Sequence, residues 1–296
     1  MFSLEAKPGS SEDRQSRSRS RASCDATDRH AAARKRLQGR AEDRPARLEL
    51  GEAGVDVWHC YLDALGDDQG GLLWWLDARE IERYRGFSCE DAARQFLAGR
   101  ALTRAALSCY ANVPPRLWSF AANEHGRPAI DEPRAHRGLC FNLSHTSGAA
   151  VLGIGRVPEV GIDVETTDRP VDIEWIGRSV FTQSERGWLT AGGSGSERDR
   201  FFDLWTLKEA YIKARGRGFS LRPDSFELAN VDGRFRLRCS HDCDPSPERW
   251  QFHLSSPRPS LRVALAIGSR TFTRIRTLTC CLGAKVVVPG PACEPT

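Results

Sequence analysis

Two carboxylates stand at alternate positions of one short segment, Gly161–Glu165, whose sequence is GIDVE. Read as a β-strand, the segment directs its two aliphatic side chains to one face and Asp163 and Glu165 to the other. Neighbouring carboxylates repel each other unless a cation lies between them, and oxygen ligands of this kind suit Mg²⁺. A lone pattern of this type is more often the polar face of a sheet, so its interpretation depends on the rest of the chain.

The strongest helix pattern in the chain runs from Phe201 to Ala214, where large apolar residues fall on or beside one stripe. Glu209 and Lys213 stand four residues apart in this helix, so their side chains share one face. From the residues alone, the pair is interpreted as a surface ion pair. Gly216 and Gly218 follow and are expected to end the helix.

A polar loop follows a short predicted strand within Leu139–Gly148, and it contains Ser144 and His145. Hydroxyl groups, backbone N–H groups and a histidine beside a strand end are able to bind phosphate. Such a pair of residues more often completes an ordinary turn. Both interpretations stay open at the level of the loop alone.

Periodicity predicts helices and strands on both sides of the Gly161–Glu165 segment. The predicted helices cover 81–87, 91–110, 171–180, 184–189 and 201–214, with Ser184 as the N-cap of the fourth. The predicted strands cover 55–58, the first part of 139–148, 149–154, 161–165, 221–231, 234–239, 250–254 and 261–267. The helix over 91–110 carries three arginines with no acid among them, which suits either solvation or contact with an anion: Arg94, Arg100 and Arg104.

Charge and composition limit the classes of protein to which the chain can belong. Of its 296 residues, 28% are charged and 40% are hydrophobic, which is typical of a globular protein. Residues 1–47 contain 12 Lys/Arg and 7 Asp/Glu, so the other 249 residues carry a net charge of −1. The folded part is therefore not expected to bind nucleic acid through a basic surface.

The first 46 residues are rich in Ser, Arg and Asp and are predicted to form a disordered basic tail. The tail is interpreted as a solvated segment or a mis-assigned start, with RNA binding or targeting as the alternative. The first ten residues lack the apolar run of a signal peptide, and no apolar stretch in the chain is long enough to span a bilayer. We therefore expect a cytoplasmic protein, in which the ten scattered cysteines are reduced thiols.

One cysteine motif stands apart from the others, Cys239-Ser-His-Asp-Cys243. It provides half of the ligand set of a zinc site, but the sequence offers no second half. We therefore interpret the motif as structural.

Three sequence blocks occur together in an order that is specific to one enzyme family: FNLSH at 141–145, GIDVE at 161–165 and WTLKEAYIK at 205–213. Two shorter blocks, GRP at 126–128 and VFTQSE at 180–185, also stand where that family has them. From about residue 79 to residue 227, the chain resembles the 4′-phosphopantetheinyl transferases of the monomeric, surfactin-type branch.

The resemblance implies an α+β fold of two similar α/β halves, related by pseudo-twofold symmetry, with the active site between them. The apolar strands at 149–154 and 261–267 would be counterparts in the two halves. The expected organisation is a tail (1–46), an N-terminal half (47–160), a C-terminal half (161–279) and a loose C-terminal end (280–296).

The resemblance also implies a metal and a catalytic base. Asp163, Glu165 and Glu209 would hold Mg²⁺ on the pyrophosphate of coenzyme A. Glu209, acting directly or through a relayed water, would take the proton from the attacking serine. Lys213 would contact the pyrophosphate and offset the charge of the leaving group, and Lys208 is implied as a further contact.

The remaining implied contacts involve the nucleotide part of coenzyme A. Ser144 and His145 match the family's contacts with the 3′-phosphate, and Arg94 matches a basic residue near the nucleotide. Arg127 and Arg83 stand where the family more often has lysine. Arginine supplies a planar fork rather than a point charge, so the implied phosphate contact would have a different geometry.

The implied reaction transfers the 4′-phosphopantetheine group from coenzyme A to a serine of an apo carrier protein and releases adenosine 3′,5′-bisphosphate. The carrier would be of the acyl, peptidyl or aminoadipate type and would dock at 166–180, where Val171, Ile173, Trp175 and Ile176 form either an exposed patch or part of the core. We expect a monomer without a membrane partner. The alternatives are an inactive relative that binds coenzyme A or a carrier without transfer, an RNA-associated protein acting through its tail, and another Mg²⁺-dependent phosphotransferase.

Overall fold

The computed structural model of the chain shows the same succession of elements built twice. It describes residues 47–65, 69–191 and 195–282, all of which belong to one compact unit, Pro45–Thr296. The predicted tail (1–46), residues 283–296 of the predicted loose end (280–296) and residues 192–194 of the Gly/Ser loop lie outside the described residues. The first residues of the predicted loose end are not loose, because Cys280 and Leu282 are buried in the core.

The first half contains β1 (Gly54–Tyr61), α1 (Gln69–Leu73), α2 (Ala78–Arg85), α3 (Glu90–Tyr110), the hairpin strands β2 (Ser119–Ala122) and β3 (Pro128–Glu132), β4 (Cys140–Thr146) and β5 (Ala149–Gly155). The second half contains β6 (Val160–Thr166), α4 (Ile173–Val180), α5 (Gln183–Thr190), α6 (Glu197–Arg215), the hairpin strands β7 (Phe226–Val231) and β8 (Arg234–Cys239), β9 (Trp250–Ser255) and β10 (Leu261–Gly268). A last strand, β11 (Arg274–Thr279), follows. Short 3₁₀ turns occupy Leu62–Ala64, Pro115–Leu117, Arg134–His136, Gly218–Ser220, Pro223–Ser225 and Pro247–Arg249.

The strands of the two halves pair in the same way. The first sheet has the order β11-β1-β5-β4 and the second has the order β6-β10-β9. In each half, the strand before the long helix pairs antiparallel with the last strand, and that last strand pairs antiparallel with the strand that precedes it. The strands β5 and β10, which were predicted to be counterparts, therefore both lie between two partners. The result is a mixed α+β fold with a repeated topology.

The last strand crosses back to the first sheet. β11 pairs parallel with β1, so that Gly54 lies opposite Arg274 and His59 opposite Thr279. Arg276 of β11 also donates to both carboxylate oxygens of Asp56, at 2.9 and 2.5 Å. Because this C-terminal strand completes the sheet of the first half, the residue boundaries of the two halves stay a prediction.

Two hydrophobic clusters fix the faces of the sheets. One joins the first sheet to α3 and includes Trp58 and Leu102. The other contains residues of both sheets, and Ile162 and Val164 of β6 point into it. The alternation predicted for the Gly161–Glu165 segment is therefore confirmed, and its two carboxylates belong to the opposite face of β6.

The helix that carries Glu209 and Lys213 crosses directly over β6 at Gly161. A Cβ atom at Gly161 would lie 2.1 Å from the carbonyl oxygen of Ala210 and 2.3 Å from the backbone nitrogen of Ala214. Only glycine allows two backbones to approach so closely. The absence of a side chain at this one position thus sets the distance between α6 and the carboxylates of β6.

Capping residues define the ends of the helices in the second half. Gly216 ends α6 in the left-handed conformation, with φ of 61°, which confirms the predicted stop. The prediction of Ser184 as an N-cap was wrong. Thr182 caps α5 instead, because its side chain accepts from the Glu185 N–H while the Glu185 carboxylate accepts from the Thr182 N–H.

Several short elements were not predicted, namely α1, β2, β3 and β11. The strand predicted over 221–231 begins only at Phe226, because a 3₁₀ turn at Pro223–Ser225 precedes it. Within the described ranges, none of the helices is long and apolar enough to cross a membrane. The eight cysteines in those ranges are free thiols, as expected.

Candidate active site

Three side chains from three different elements meet in one buried, hydrogen-bonded cluster, which we call the Asp163 cluster: Asp163 of β6, Ser144 of β4 and Lys213 of α6. Asp163 Oδ1 accepts from Ser144 Oγ at 2.8 Å and from Lys213 Nζ at 2.6 Å. Lys213 Nζ also donates to Ser144 Oγ at 2.8 Å. Since β4 belongs to the first half while β6 and α6 belong to the second, the cluster lies where the two halves meet.

Asn142 explains how β4 and β6 come to lie side by side although they belong to different sheets. The Ile162 N–H donates to Asn142 Oδ1 at 2.8 Å, and Asn142 is buried. Asn142 belongs to the FNLSH block, but no role was predicted for it. Its role could have been inferred because Asn142 is a single amide between apolar residues of a strand. Such an amide is expected to be buried, and a buried amide needs a hydrogen-bond partner.

Glu165, the second carboxylate of β6, has both of its oxygens engaged. Glu165 Oε1 accepts from Trp205 Nε1 at 2.9 Å, and Oε2 accepts from Arg169 Nη2 at 3.0 Å. Burial, followed by the nearby Asp163 carboxylate, raises the pKa of Glu165 to about 7. Proton loss from Glu165 therefore falls close to neutral pH.

Glu209 lies one helical turn before Lys213 and is also buried. Burial and then the Asp163 carboxylate raise the pKa of Glu209. Because Asp163 acts on the pKa of both glutamates, the three predicted metal ligands share one region. The charged forms of Glu165 and Glu209 are disfavoured there unless a cation is added.

The donor set fits Mg²⁺ in its chemistry but is not arranged around an ion. Asp163 Oδ2 is buried without a hydrogen-bond partner, and carboxylate oxygens are the ligands that Mg²⁺ prefers. In the part of the chain that the structure describes, however, no three His, Cys, Asp or Glu side chains stand close enough together to hold a metal ion. Lys213 and Arg169 now pair with Asp163 and Glu165, and both cations would have to give way to an ion.

Positive groups surround His145, which follows Ser144 on β4. Burial, then Lys213 and Arg100, lower the pKa of His145, and Arg83 acts in the same direction. The guanidinium groups of Arg83 and Arg100 lie 5.2 and 5.3 Å from the centre of the Phe96 ring. Arg83 and His145 were both predicted to contact coenzyme A, and Arg100, noted in the sequence only as one of three arginines, lies near them.

Arg127 links α6 to β6 through hydrogen bonds. It donates to three backbone carbonyls, those of Ala214 at 2.5 Å, Pro158 at 2.9 Å and Val160 at 3.0 Å. Arg94, the other arginine assigned to the nucleotide, donates to the Leu62 carbonyl at 3.5 Å. A phosphate contact by either arginine stays a prediction.

Lys208 requires a correction, because it belongs to the core and not to the site. Its side chain is 1% exposed, and Nζ lies 2.7 Å from Glu185 Oε1. Nζ also donates to the carbonyls of Pro223 and Phe226, at 2.9 and 2.8 Å. All three of its N–H groups are thus used, and none is left for coenzyme A. Adjacent residues of a helix point about 100° apart, which turns Lys208 away from the face of Glu209.

The predicted carrier-docking segment divides between surface and core. Ile176 of α4 is buried, whereas Trp175 beside it is 67% exposed. The Asp172 side chain caps α4 by accepting from the Trp175 N–H at 3.0 Å. Core packing therefore applies to Ile176, and the exposed patch applies to Trp175.

Comparison with known proteins gives the family. The family model of the 4′-phosphopantetheinyl transferase superfamily matches residues 159–266, which include the β6 and α6 residues of the site. Sfp of Bacillus subtilis is 34% identical over 64% of this chain and 84% of its own length. HetI of Nostoc sp. is 31% identical over 63% of this chain and 78% of its own length. Both carry the name 4′-phosphopantetheinyl transferase, and the chain belongs to this family.

A more distant relative and two solved structures extend the comparison. The L-aminoadipate-semialdehyde dehydrogenase-phosphopantetheinyl transferase of Xenopus laevis is 29% identical over 66% of this chain and 70% of its own length. The holo-[acyl-carrier-protein] synthase of Thermotoga maritima matches 39% of this chain and 65% of its own, with a TM-score of 0.34 and 23% identity. The Bacillus anthracis synthase, in complex with coenzyme A (3′,5′-ADP), matches 39% of this chain and 98% of its own, with a TM-score of 0.31 and 24% identity.

Proposed function

We propose that the chain transfers the 4′-phosphopantetheine group from coenzyme A to a serine hydroxyl of an apo carrier protein in a Mg²⁺-dependent reaction. The observation that carries the proposal is the Asp163 cluster, in which β4, β6 and α6 bring a carboxylate, a hydroxyl and an ammonium group together. Membership in the 4′-phosphopantetheinyl transferase family supports the same reaction.

The bonds exchanged in the reaction define the task of each side chain. The serine oxygen of the carrier bonds to the β-phosphorus of coenzyme A, and the phosphoanhydride bond breaks to release adenosine 3′,5′-bisphosphate. Glu209 takes the proton from the serine hydroxyl, directly or through a water, because burial raises its pKa and a higher pKa makes a carboxylate a stronger base. Lys213 offsets the negative charge that develops on the leaving phosphate.

Asp163, Glu165 and Glu209 would hold the Mg²⁺ ion, which when bound offsets the charge of the pyrophosphate. The unpartnered Asp163 Oδ2 and the raised pKa values of Glu165 and Glu209 favour an added cation at this place. Binding of the ion and of the pyrophosphate requires Lys213 to exchange its contact with Asp163 for one with phosphate oxygen. The ammonium group would then remain in the site while its partner changes.

We assign the 3′-phosphate of coenzyme A to the positive region around His145 and Arg83, to which Arg100 also contributes. The Ser144 hydroxyl lies between this region and the Asp163 cluster. The carrier protein docks at α4, where Trp175 offers an exposed aromatic surface. Such a surface suits an interface in which an aromatic side chain is the main anchor.

The test is mass spectrometry of apo acyl, peptidyl and aminoadipate-type carriers after incubation with the protein, coenzyme A and Mg²⁺. We expect at least one carrier to gain one phosphopantetheine group. Asp163→Asn should abolish this gain, while Asp168→Asn, at an exposed carboxylate of the next loop, should keep it. Trp175→Ala should raise KM for the carrier without changing that for coenzyme A. Full activity of Asp163→Asn would refute the assignment of the site, and binding of a carrier without its modification would favour an inactive relative.

We further propose that the enzyme works as a monomer in the cytoplasm and that its folded part binds no nucleic acid. All residues of the Asp163 cluster come from one chain, so the site is complete without a second copy. The net charge of −1 over residues 48–296 supports the absence of a nucleic-acid surface. Light scattering and cell fractionation test the first two statements, and a gel-shift titration of a variant that lacks residues 1–46 tests the third.

A further inference from the structure

The Cys239-Ser-His-Asp-Cys243 segment, which the proposed reaction does not use, folds back on itself at the end of β8. The N–H groups of Cys243 and Asp244 both donate to the Ser240 carbonyl, at 3.0 and 3.2 Å. The turn brings the Cys239 thiol back to the residue after Cys243, because it donates to the Asp244 carbonyl with an Sγ–O distance of 4.0 Å. The Cys243 thiol is close enough to raise the pKa of Cys239. Both cysteines are free and partly exposed. The segment thus presents a preassembled pair of thiols to solvent.

The two cysteines stand four residues apart around one turn, without the further ligands of a metal site among the described residues. No set of three His, Cys, Asp or Glu ligands forms anywhere in the described ranges, so the zinc interpretation has no partner residues. We propose that Cys239 and Cys243 are a redox-active dithiol whose oxidation closes a disulfide within the loop. Transient disulfides of this kind are the form that oxidation takes in reducing compartments.

The chemistry needs a two-electron oxidant such as hydrogen peroxide. Cys243 is oxidised first to a sulfenic acid, and one water is released. The Cys239 thiol then attacks that sulfur, the S–S bond forms and a second water leaves. The order follows from the surroundings of Cys239: burial and the adjacent Cys243 thiol raise the pKa of Cys239 to about 12, so its thiol stays protonated and is not the first to meet the oxidant.

The other cysteines of the described ranges provide an internal contrast. Cys60, Cys109 and Cys280 also lie near one another, but each is about 1% exposed within the core. Burial raises the pKa of Cys60 and of Cys109 to about 12, so these thiols neither meet the oxidant nor ionise. Cys89 and Cys281 are exposed and Cys140 is partly exposed. Of the described cysteines, Cys239 and Cys243 are the two that are both accessible and close to each other.

The disulfide would act on the loop that holds the end of α6. Asp244, the residue after Cys243, is fully buried and accepts from Arg215 Nη1 at 2.6 Å and from Trp250 Nε1 at 2.7 Å. Arg215 is the last residue of α6, two positions after Lys213. Closing the ring therefore restrains the segment that fixes this helix end, and the oxidised protein should unfold at a higher temperature than the reduced one.

Trypsin makes the test direct, because cleavage after Arg238 and Arg249 releases one peptide that contains both cysteines and no others. The full-length protein is treated with hydrogen peroxide, denatured, alkylated with iodoacetamide and digested. We expect the peptide from Cys239 to Arg249 to lose two hydrogen atoms and to carry no alkyl group, while Cys60, Cys109 and Cys280 are alkylated. Addition of dithiothreitol before alkylation should restore both sites.

Two variants serve as matched controls. In Cys243→Ser, the remaining Cys239 should be alkylated after peroxide treatment and the increase in melting temperature should vanish. In Cys89→Ser, which removes an exposed but isolated thiol, both results should equal those of the original chain. The proposal is overturned if both cysteines of the peptide are alkylated while Cys89 is oxidised. It is also overturned if a zinc ion protects the two thiols without the loss of hydrogen. These outcomes do not depend on transferase activity.

Discussion

Replacement of Gly161 by alanine tests the close crossing of α6 over β6. The new Cβ would lie 2.1 Å from the Ala210 carbonyl oxygen and 2.3 Å from the Ala214 nitrogen. Both obstacles are backbone atoms and cannot rotate away, so the helix must retreat by about 1 Å to reach ordinary contact distances. We expect the free energy of unfolding to fall by about 3 kcal/mol, the upper part of the range for overpacked cores.

The same retreat should carry Glu209 and Lys213 away from Asp163. A misplacement of about 1 Å in a catalytic group can reduce the rate about 100-fold, so kcat for carrier modification should fall by that order in the fraction that remains folded. Urea unfolding and steady-state transfer assays measure the two effects.

A matched glycine in β5, which belongs to the other sheet and faces β6, provides the control. At Gly153 a Cβ atom would meet only side-chain atoms, of Leu265 and Val160, at 3.5 Å. Gly153→Ala should therefore change the unfolding free energy by less than about 1 kcal/mol and leave kcat unchanged. If Gly161→Ala behaves like Gly153→Ala in both assays, the reasoning about the helix crossing is refuted.

Three further predictions follow from the charges of the site and core. Lys208→Met leaves the buried Glu185 carboxylate without its partner, so urea unfolding should show that the free energy of unfolding falls by about 3–5 kcal/mol. The control Arg178→Met, which removes an exposed ion pair, should lower it by less than about 1 kcal/mol. Equal losses would contradict the role of Lys208 in the core. The raised pKa of Glu165 means that the folded protein binds more protons than the unfolded one between the ordinary glutamate pKa and about 7, so without metal the unfolding free energy should fall as pH rises through that window. Glu165→Gln should flatten this slope, and an unchanged slope would assign the effect to other groups. Arg169→Gln removes the cation that now pairs with Glu165 and that would compete with Mg²⁺ for this carboxylate. If the competition costs about 1 kcal/mol, calorimetry should show that the variant binds Mg²⁺ about fivefold more tightly. Weaker binding would mean that Arg169 helps to hold the metal site together.

Local patterns in the sequence were sufficient to predict the longer helices and strands and the two faces of β6. The alternation of apolar and acidic residues in β6 predicted which side chains face the core, because strand geometry has a fixed period of two. The spacing of Glu209 and Lys213 likewise predicted a shared helix face. These features depend only on residues that are neighbours along the chain.

Features that depend on distant contacts could not be predicted. Lys208 and Glu209 are adjacent in sequence, and only the orientation of α6 against β7 and α5 decides that Lys208 enters the core. The link from Asn142 to the Ile162 N–H joins two strands that do not pair in a sheet, and no periodicity signals such a contact. The resemblance to a family predicted that Ser144 and Asp163 belong to one site, but not that they are hydrogen-bonded to each other.

The return of β11 to β1 has a consequence for synthesis of the chain on the ribosome. Strand β1 emerges early, yet the partner that covers its outer edge is made some 220 residues later. Until then the edge is open to pairing with other chains, and Asp56 lacks the arginine that neutralises it. Closing this long loop should make completion of the first sheet a late event in folding. Nascent chains released before Arg274 would then be the form of this protein most prone to aggregation.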